Sequence, residues 1–334
     1  MANKVYIVLL NYNGFLDTME CLESVLKLHY ENFQIIVIDN SETLVPFENL
    51  INWALGNFTV KVKETAFENL VFPLEQKPVD FCTTSENEFL EKELNHKIVF
   101  VKANQNNGFA AGNNIALRYV LKFGTPDSYI WLLNNDTVVD KEALSAQILY
   151  LSKPKNKGIG ILGSKLVYYH KPDKIQAIGG NFNERHYIPS HICEGESIVL
   201  QKNNSIKIDY VIGASMFVPL QFIKDVGMLC EDFFLYYEEL DWTYRAKDKG
   251  WDVDCCLESI VYHKEGASIG SSYDSQKKSY FSEITIFKSR KLFVKKHFKL
   301  GFNFYFSSLA LILNRIRKGK IRLGLELLKI TVQK

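Results

Sequence analysis

Val5–Ser41 reads VYIVLLNYNGFLDTMECLESVLKLHYENFQIIVIDNS, and the way its apolar residues are grouped decides the fold class. Val5–Leu10 is an unbroken apolar run, as a strand buried on both faces requires. Asn11–Gly14 reads as a turn, and Phe15–Leu28 as a helix with Met19, Leu22, Val25 and Leu26 on one face. Phe33–Asp39 is a second buried strand. Strand, helix and strand in such quick succession form a βαβ unit. That implies an α/β protein with a parallel sheet, a right-handed crossover, and ligands at the C-terminal ends of the strands.

Outward from this unit the alternation persists to about residue 152, with strands at Lys97–Lys102 and Tyr129–Leu133 and helices at Asn113–Phe123 and Lys141–Leu151. Ser41–His96 mixes Pro, aromatic and charged residues without a clear period, so an insertion or long functional loop is expected there. Further on, short strands are expected at Lys165–Tyr169, Ile206–Ile212 and Ala214–Val218 around a polar stretch, Gly179–Asn204. A helix opens near Glu238 and stops at Gly250, a strand covers Val253–His263, and Tyr280–Lys329 is mainly helical.

The net charge of +2 hides an asymmetry: residues 284–325 hold Lys288, Arg290, Lys291, Lys295, Lys296, Lys299, Arg315, Arg317, Lys318, Lys320 and Arg322 and no acid. An anionic partner should meet this tail. Phe302–Leu313 is largely apolar and the cations of Arg315–Arg322 follow it. Both an interfacial helix on an anionic membrane surface and a helical cap with a solvated basic face fit that pattern, and twelve apolar residues are too few to span a bilayer. No recognised motif supports nucleic-acid binding. The six cysteines show no CxxC pair or regular spacing, which argues for reduced thiols, and Val5–Leu10 is too short for a signal-peptide core, so a cytoplasmic protein is expected.

Two generic patterns are rejected. Gly158–Gly163 satisfies GxGxxG but follows a helix and leads into strand-like SKLVYY, the reverse of a dinucleotide fingerprint. No GxxxxGK[ST] is present, so P-loop phosphoryl transfer has no support.

Three polar clusters sit where strands end: Asn11-Tyr12-Asn13-Gly14, Asp39-Asn40-Ser41 and Asn134-Asn135-Asp136-Thr137. Each alone reads more readily as a turn or cap, because Asn, Asp and Ser bond the nearby backbone. With NNGFAAGNN at 106–114, GASMFV at 213–218, FFLYYEELDWTYR at 233–245 and VYHKEGAS at 261–268, these clusters form an ordered set. It resembles the family 2 glycosyltransferases, particularly the rhamnosyltransferase-like branch, over residues 4–270.

The resemblance implies a GT-A fold: a mixed, mainly parallel sheet flanked by helices, here with a C-terminal helical extension. Residues 1–270 would be the catalytic domain, with nucleotide binding up to about 152 and acceptor binding at 153–270, and 271–334 would be a basic helical extension. It also implies an inverting transfer of a sugar, rhamnose or another hexose, from a dTDP- or UDP-sugar to a hydroxyl of a glycan or lipid-linked acceptor. The setting would be surface polysaccharide assembly at the inner face of the cytoplasmic membrane.

In that reading Asn11, Tyr12, Asp39, Asn107, Gly108, Asn113, Asn134 and Asn135 hold the nucleotide sugar, and Asp136 and His263 hold Mg2+ or Mn2+. Glu239 is the base, and Glu238, Asp241 and Arg245 support the acceptor side. Asn134 and Glu239 stand where the family usually has Asp. A catalytically degenerate sugar-nucleotide-binding or membrane-recruited scaffold is therefore the rival reading.

Overall fold

The structure, a computed structural model, describes residues 2–60, 67–199, 206–264 and 279–333. In chain order β1 (Val5–Asn11), α1 (Phe15–Val25) and β2 (Phe33–Asp39) form the expected βαβ unit. Val5, Ile7 and Leu9 of β1 point to one face of the sheet and Tyr6 and Val8 to the other, all buried. Both faces are therefore covered, which is why the run has no polar alternation.

The expected insertion is corrected by the structure. It contains α2 (Val45–Leu55), α3 (Glu68–Val71), β3 (Phe81–Ser85) and α4 (Glu86–Phe89). In α2, Pro46 occupies the first turn, Leu50, Trp53 and Ala54 are buried, and Gly56 closes the end at φ +91°. Proline at the start and a left-handed glycine at the end are the usual asymmetry of a helix. β3 pairs in parallel with β4 (Ile98–Lys102) and forms the edge of the sheet.

The next helix, α5 (Gly108–Phe123), begins five residues before the expected Asn113. Then come β5 (Tyr129–Asn134), β6 (Thr137–Val139), α6 (Ala143–Ser152), β7 (Ile159–Tyr168) and β8 (Lys171–Ala177). Gly160 and Gly163 thus lie inside β7 rather than in a phosphate loop. The polar stretch supplies a separate hairpin, β9 (Gly180–Asn183) and β10 (Ile188–His191). Its last residues, from 200 on, lie outside the described residues.

Residues 206–212 are not a strand. Only Tyr210 bridges Gly180, and its ring lies where a Cβ on Gly180 would stand, 2.2 Å away. β11 (Ser215–Pro219), α7 (Leu220–Val226), α8 (Glu238–Asp248) and β12 (Asp252–His263) follow, then α9 (Tyr280–His297), α10 (Phe302–Arg317) and α11 (Ile321–Val332).

The main sheet has the order β3-β4-β2-β1-β5-β11-β7-β12-β6, with β8 beside β7. It is parallel from β3 to β5, and β11 then runs antiparallel between β5 and β7. α1, α2 and α6 cover one face and α5, α7 and α8 the other. An aromatic cluster of Phe182, Tyr237, Phe293 and Phe304 ties the β9–β10 hairpin and α8 to α9 and α10. At its centre Arg290 is buried with every nitrogen bonded: Nε and Nη2 donate to Tyr187 O (3.1 Å) and His186 O (2.9 Å), and Nη1 donates to Ser308 Oγ (2.7 Å). The six cysteines are unbridged.

Candidate active site

The strand ends meet as the βαβ reading requires. Asp39, fully buried, closes β2 opposite Asn11 of β1. Its Oδ1 accepts from Asn11 Nδ2 (3.3 Å) and Ser41 N (2.8 Å), while Oδ2 has no hydrogen-bond partner and lies 3.7 Å from Lys102 Nζ. An unbonded buried carboxylate oxygen is costly unless something completes it. Tyr12 is half-buried beside this pair, its hydroxyl 3.5 Å from Glu42 Oε1. Lys102 gave no signal in the sequence beyond ending a strand.

Asn134 and Asp136 lie where the chain leaves the middle of the sheet at β5 and rejoins its far edge at β6. β12 runs antiparallel to β6 with His263 opposite Thr137, and Lys264 N donates to Asp136 O (3.0 Å). That register brings His263 Nε2 within 3.2 Å of Asp136 Oδ1. Gln176 Oε1 faces Nδ1 at 2.9 Å. An amide oxygen can only accept, so Nδ1 carries a hydrogen, and in the neutral ring Nε2 is the acceptor. Asn134 Nδ2, at 3.3 Å, is placed to donate to it.

Asp136 and Nε2 therefore aim lone pairs at the same small space, an arrangement relieved by a shared cation. Two ligands at right angles on a cation with bonds of about 2.1 Å stand about 3 Å apart, so the pair fits a divalent metal. Among the described residues no cluster of three or more His, Cys, Asp or Glu could hold a metal. A cation here would take its remaining oxygens from outside the protein. Burial raises the Asp136 pKa, but a protonated His263, by its charge and its hydrogen bond, and Lys264 outweigh it and hold the carboxyl below its usual range; a cation between the two would take the place of that Nε2 proton. Lys264 is itself held by Asp17 (2.6 Å) and Glu20 (2.5 Å) of α1. The rest of the VYHKEGAS segment, from Glu265, lies outside the described residues.

Asn135 is turned inward, its Nδ2 donating to Thr18 Oγ1 (2.9 Å), and it serves the framework around Asn11. Asn107 is exposed at the N-cap of α5 without a side-chain cap bond, and Asn113 is buried, donating to Phe109 O within its own helix (2.9 Å). Gly108 has φ +92°, and a Cβ there would stand 2.2 Å from Phe234 O. Phe109 N donates to that same oxygen (2.8 Å), so the start of α5 is docked on the loop that leads to Glu238 and Glu239.

That loop has an unusual backbone. Tyr236 and Tyr237 both have positive φ, +68° and +70°, a conformation that non-glycine residues hold only where the surroundings impose it. Here they do: Tyr236 OH meets Ser282 Oγ (2.7 Å), Tyr237 OH donates to Tyr187 O (3.1 Å), and Ser289 Oγ donates to Leu235 O (2.7 Å). The result presents two acids at the start of α8. Glu238 is buried with Oε2 unbonded, and Glu239 is half-buried. Burial pushes the Glu239 pKa up to about 7, and burial together with the Glu239 charge pushes that of Glu238 well up. A carboxyl tuned to neutral pH is suited to proton transfer.

Asp241 is of another kind. It is fully buried and bonded by Arg245 Nε (2.8 Å), Lys296 Nζ (2.7 Å) and His297 Nε2 (2.8 Å), while Arg245 also donates to Val226 O and Met228 O. The i,i+4 pairing with Arg245 was legible, but the Lys296 and His297 partners, fifty-odd residues away, were not. Burial alone would raise the Asp241 pKa. The hydrogen bonds from His297 and Lys296, with Arg245, outweigh it and lower the value to about 2.

A carboxyl held low in the folded chain contributes stability that is complete above its unfolded value of 3.8 and is lost as pH falls towards 2. Asp241→Asn should therefore cost about 2 kcal/mol at pH 7 and flatten acid unfolding between those limits, as read by denaturant melts at several pH values. A variant whose acid limb matches the parent's would show that α8 is not clamped to α9 by this charge.

A cavity of about 400 Å³ opens beside the same loop, lined by Asp232, Phe234, Phe281, Thr285, Lys288 and Leu292. It combines aromatic faces with one charge of each sign; the sequence marked Phe234 as part of the 233–245 motif and Lys288 as part of the basic tail, but none of the six as a site residue.

No protein-family model matches the chain. The sequence is 25% identical over 180 residues to the low-salt glycan biosynthesis hexosyltransferase Agl10 of Haloferax volcanii, covering 50% of this chain and 52% of that protein. It is 21% identical over 268 residues to the dTDP-rhamnosyl transferase RfbF of Shigella flexneri, covering 80% of this chain and 71% of that one. The chain thus spans about half the length of the first relative. Among solved structures it is similar in fold to the mannosyltransferase PcManGT from Pyrobaculum calidifontis in complex with GDP-Man and Mn2+. The TM-score is 0.52 at 10% identity, over 98% of this chain and 79% of that one.

Proposed function

We propose that the chain, which is similar to glycosyltransferases in sequence and in fold, is a family 2 glycosyltransferase of the rhamnosyltransferase-like kind that transfers a hexose, rhamnose or a relative, from a nucleoside diphosphate to an acceptor hydroxyl. The acceptor is a glycan or lipid-linked glycan of a surface polysaccharide. The observation that carries this reading is the convergence of Asp136 and His263 Nε2, 3.2 Å apart at the strand ends, with the histidine tautomer set by Gln176.

Asp39, with one carboxylate oxygen unbonded, accepts from the base or ribose of a dTDP- or UDP-sugar, and Tyr12 covers the base. Asn107 and Gly108 let the diphosphate approach the start of α5, and Asn134 and Asp136 border it. Asp136 and His263 hold Mg2+ or Mn2+, whose contribution when bound is to neutralise charge on the departing diphosphate. Glu239 takes the proton from the acceptor hydroxyl as that oxygen bonds the anomeric carbon. The bond from that carbon to the diphosphate breaks on the opposite face, so the configuration inverts without a covalent sugar intermediate. The cavity beside Phe234 receives the acceptor.

The rival reading, a scaffold that binds sugar nucleotides without turnover, is disfavoured by Glu238, buried with Oε2 unbonded, beside the half-buried Glu239: burial raises the pKa of both, a cost in stability that suits proton transfer.

Thermal-shift measurements with a panel of sugar nucleotides, with and without Mn2+, test the proposal. The matching donor at a hundredfold its Kd should stabilise the chain by about 2.7 kcal/mol. The Mn2+-dependent part of that shift should vanish in Asp136→Asn, while metal-free nucleotide binding persists. A chain stabilised by no donor under any condition is not this enzyme.

A further inference from the structure

We propose that the outer face of the α10–α11 hairpin docks the protein on the surface of an anionic lipid bilayer. The inner faces of both helices are spoken for. Phe304, Ser307 and Ser308 of α10 pack on and bond Arg290 of α9, and Ile312 clusters with Phe287 of α9 together with Leu323, Leu327 and Ile330 of α11. Gly324 lets the two helices close, since a Cβ there would stand 2.5 Å from the Ile316 side chain.

The faces turned away from α9 are apolar where a soluble surface would be polar. On α10, Phe302, Tyr305, Phe306, Leu309 and Leu313 recur at the spacing of one helical face, and Phe302 is 80%, Phe306 56% and Leu313 55% exposed. On α11, Ile321, Leu325, Leu328 and Val332 repeat the pattern, all exposed. Scattered exposed apolar residues are ordinary, but two aligned stripes on adjacent helices call for an occupant.

Charge identifies it. Arg317, Lys318 and Arg322 are exposed around the turn joining the two stripes, and Lys329 is exposed at the edge of the α11 stripe. Glu283 of α9 is already bonded by Arg315 (3.0 Å) and Lys320 (3.4 Å), and Glu326 is the one acid in residues 284–334, so cations outnumber acids on the hairpin. Apolar stripes rimmed by Lys and Arg match the boundary between acyl chains and anionic headgroups, and phenylalanine is a frequent side chain on such faces. Among the described residues no helix is long and apolar enough to cross a membrane, so these helices lie on it. This goes beyond the transfer reaction and is independent of which donor is used.

The test is co-sedimentation of the whole chain with phosphatidylglycerol–phosphatidylcholine vesicles and with phosphatidylcholine alone. Binding to the anionic vesicles is expected, at least tenfold weaker on neutral ones or in 1 M salt. Phe306→Asp with Leu309→Asp should abolish it, and Arg317→Glu with Lys318→Glu should weaken it at least fivefold. Leu149→Asp, on the exposed side of α6, should leave it unchanged.

Absence of binding, or binding indifferent to the α10 pair, overturns the proposal. So does light scattering that finds a dimer dissolved by the α10 pair in a chain that ignores vesicles, which would make the stripe an interface between copies. Donor-induced thermal shifts on the same samples separate this outcome from failure of the transfer reading.

Discussion

Glu239→Gln should lower sugar transfer by a factor between about 10² and 10⁴, the usual contribution of a general base, while donor binding stays near that of the parent. The same substitution should raise the melting temperature at pH 8. Burial lifts the pKa of this carboxyl to about 7, so the folded chain binds a proton more tightly than the unfolded one. The stability that goes with that proton is complete below the unfolded value of 4.5 and is lost as pH rises through 7. At pH 8 the parent holds an ionised, half-buried acid that Gln removes. Activity and stability moving in opposite directions is a signature a structural residue does not give. Transfer by the parent should rise with pH through about 7, and Glu238→Gln should be stabilising too but far less damaging to rate. Should Glu238→Gln abolish transfer and Glu239→Gln spare it, the two roles are exchanged.

Gly108→Ala should be nearly as damaging, for a different reason. The position combines φ +92° with a Cβ placed 2.2 Å from a carbonyl oxygen and 2.7 Å from a Cα, both of Phe234. Backbone neighbours cannot rotate away, so the loop before Glu238 must move. The strain and the broken docking should together cost about 3 kcal/mol or more. Displacement of the loop by about 1 Å should reduce transfer roughly a hundredfold even where the fold survives. Gly213→Ala is the control: its Cβ would meet nothing within 4 Å, and it should melt within about 0.5 kcal/mol of the parent. Equal melts for the two alanine variants would mean that α5 does not hold the loop.

The two glycines also mark what the sequence made legible. Both stood in motifs, but only Gly108 is under a steric demand, and nothing in the letters distinguishes them. The strand β2 was readable to the residue and β1 to within one, because burial on both faces leaves an unbroken apolar run. The strand-end clusters around Asn11, Asp39 and Asp136 followed from that.

The start of α5 was misplaced because Gly and Asn have poor helix propensity, and tertiary docking on Phe234 overrides it. α2 was overlooked although Pro46 and Gly56 bracket it. The alternating residues 206–212 looked like a strand, yet among them only Tyr210 forms a bridge, to Gly180. Gln176 behind His263, and Lys296 and His297 behind Asp241, could not be read at all. Their pairings join segments 55 or more residues apart that share no periodic pattern.

The loop that carries Glu239 has one more implication, for the order in which the protein matures. Leu235 is held by Ser289 and Tyr236 by Ser282, partners synthesised 54 and 46 residues later. Tyr237 is braced through Tyr187, whose carbonyl oxygen also accepts from Arg290, made 103 residues after it. The left-handed backbone at Tyr236 and Tyr237 lacks these supports until α9 has left the ribosome and docked. A nascent chain can therefore complete the strands β1 to β5 while the segment that carries Glu239 is still unshaped.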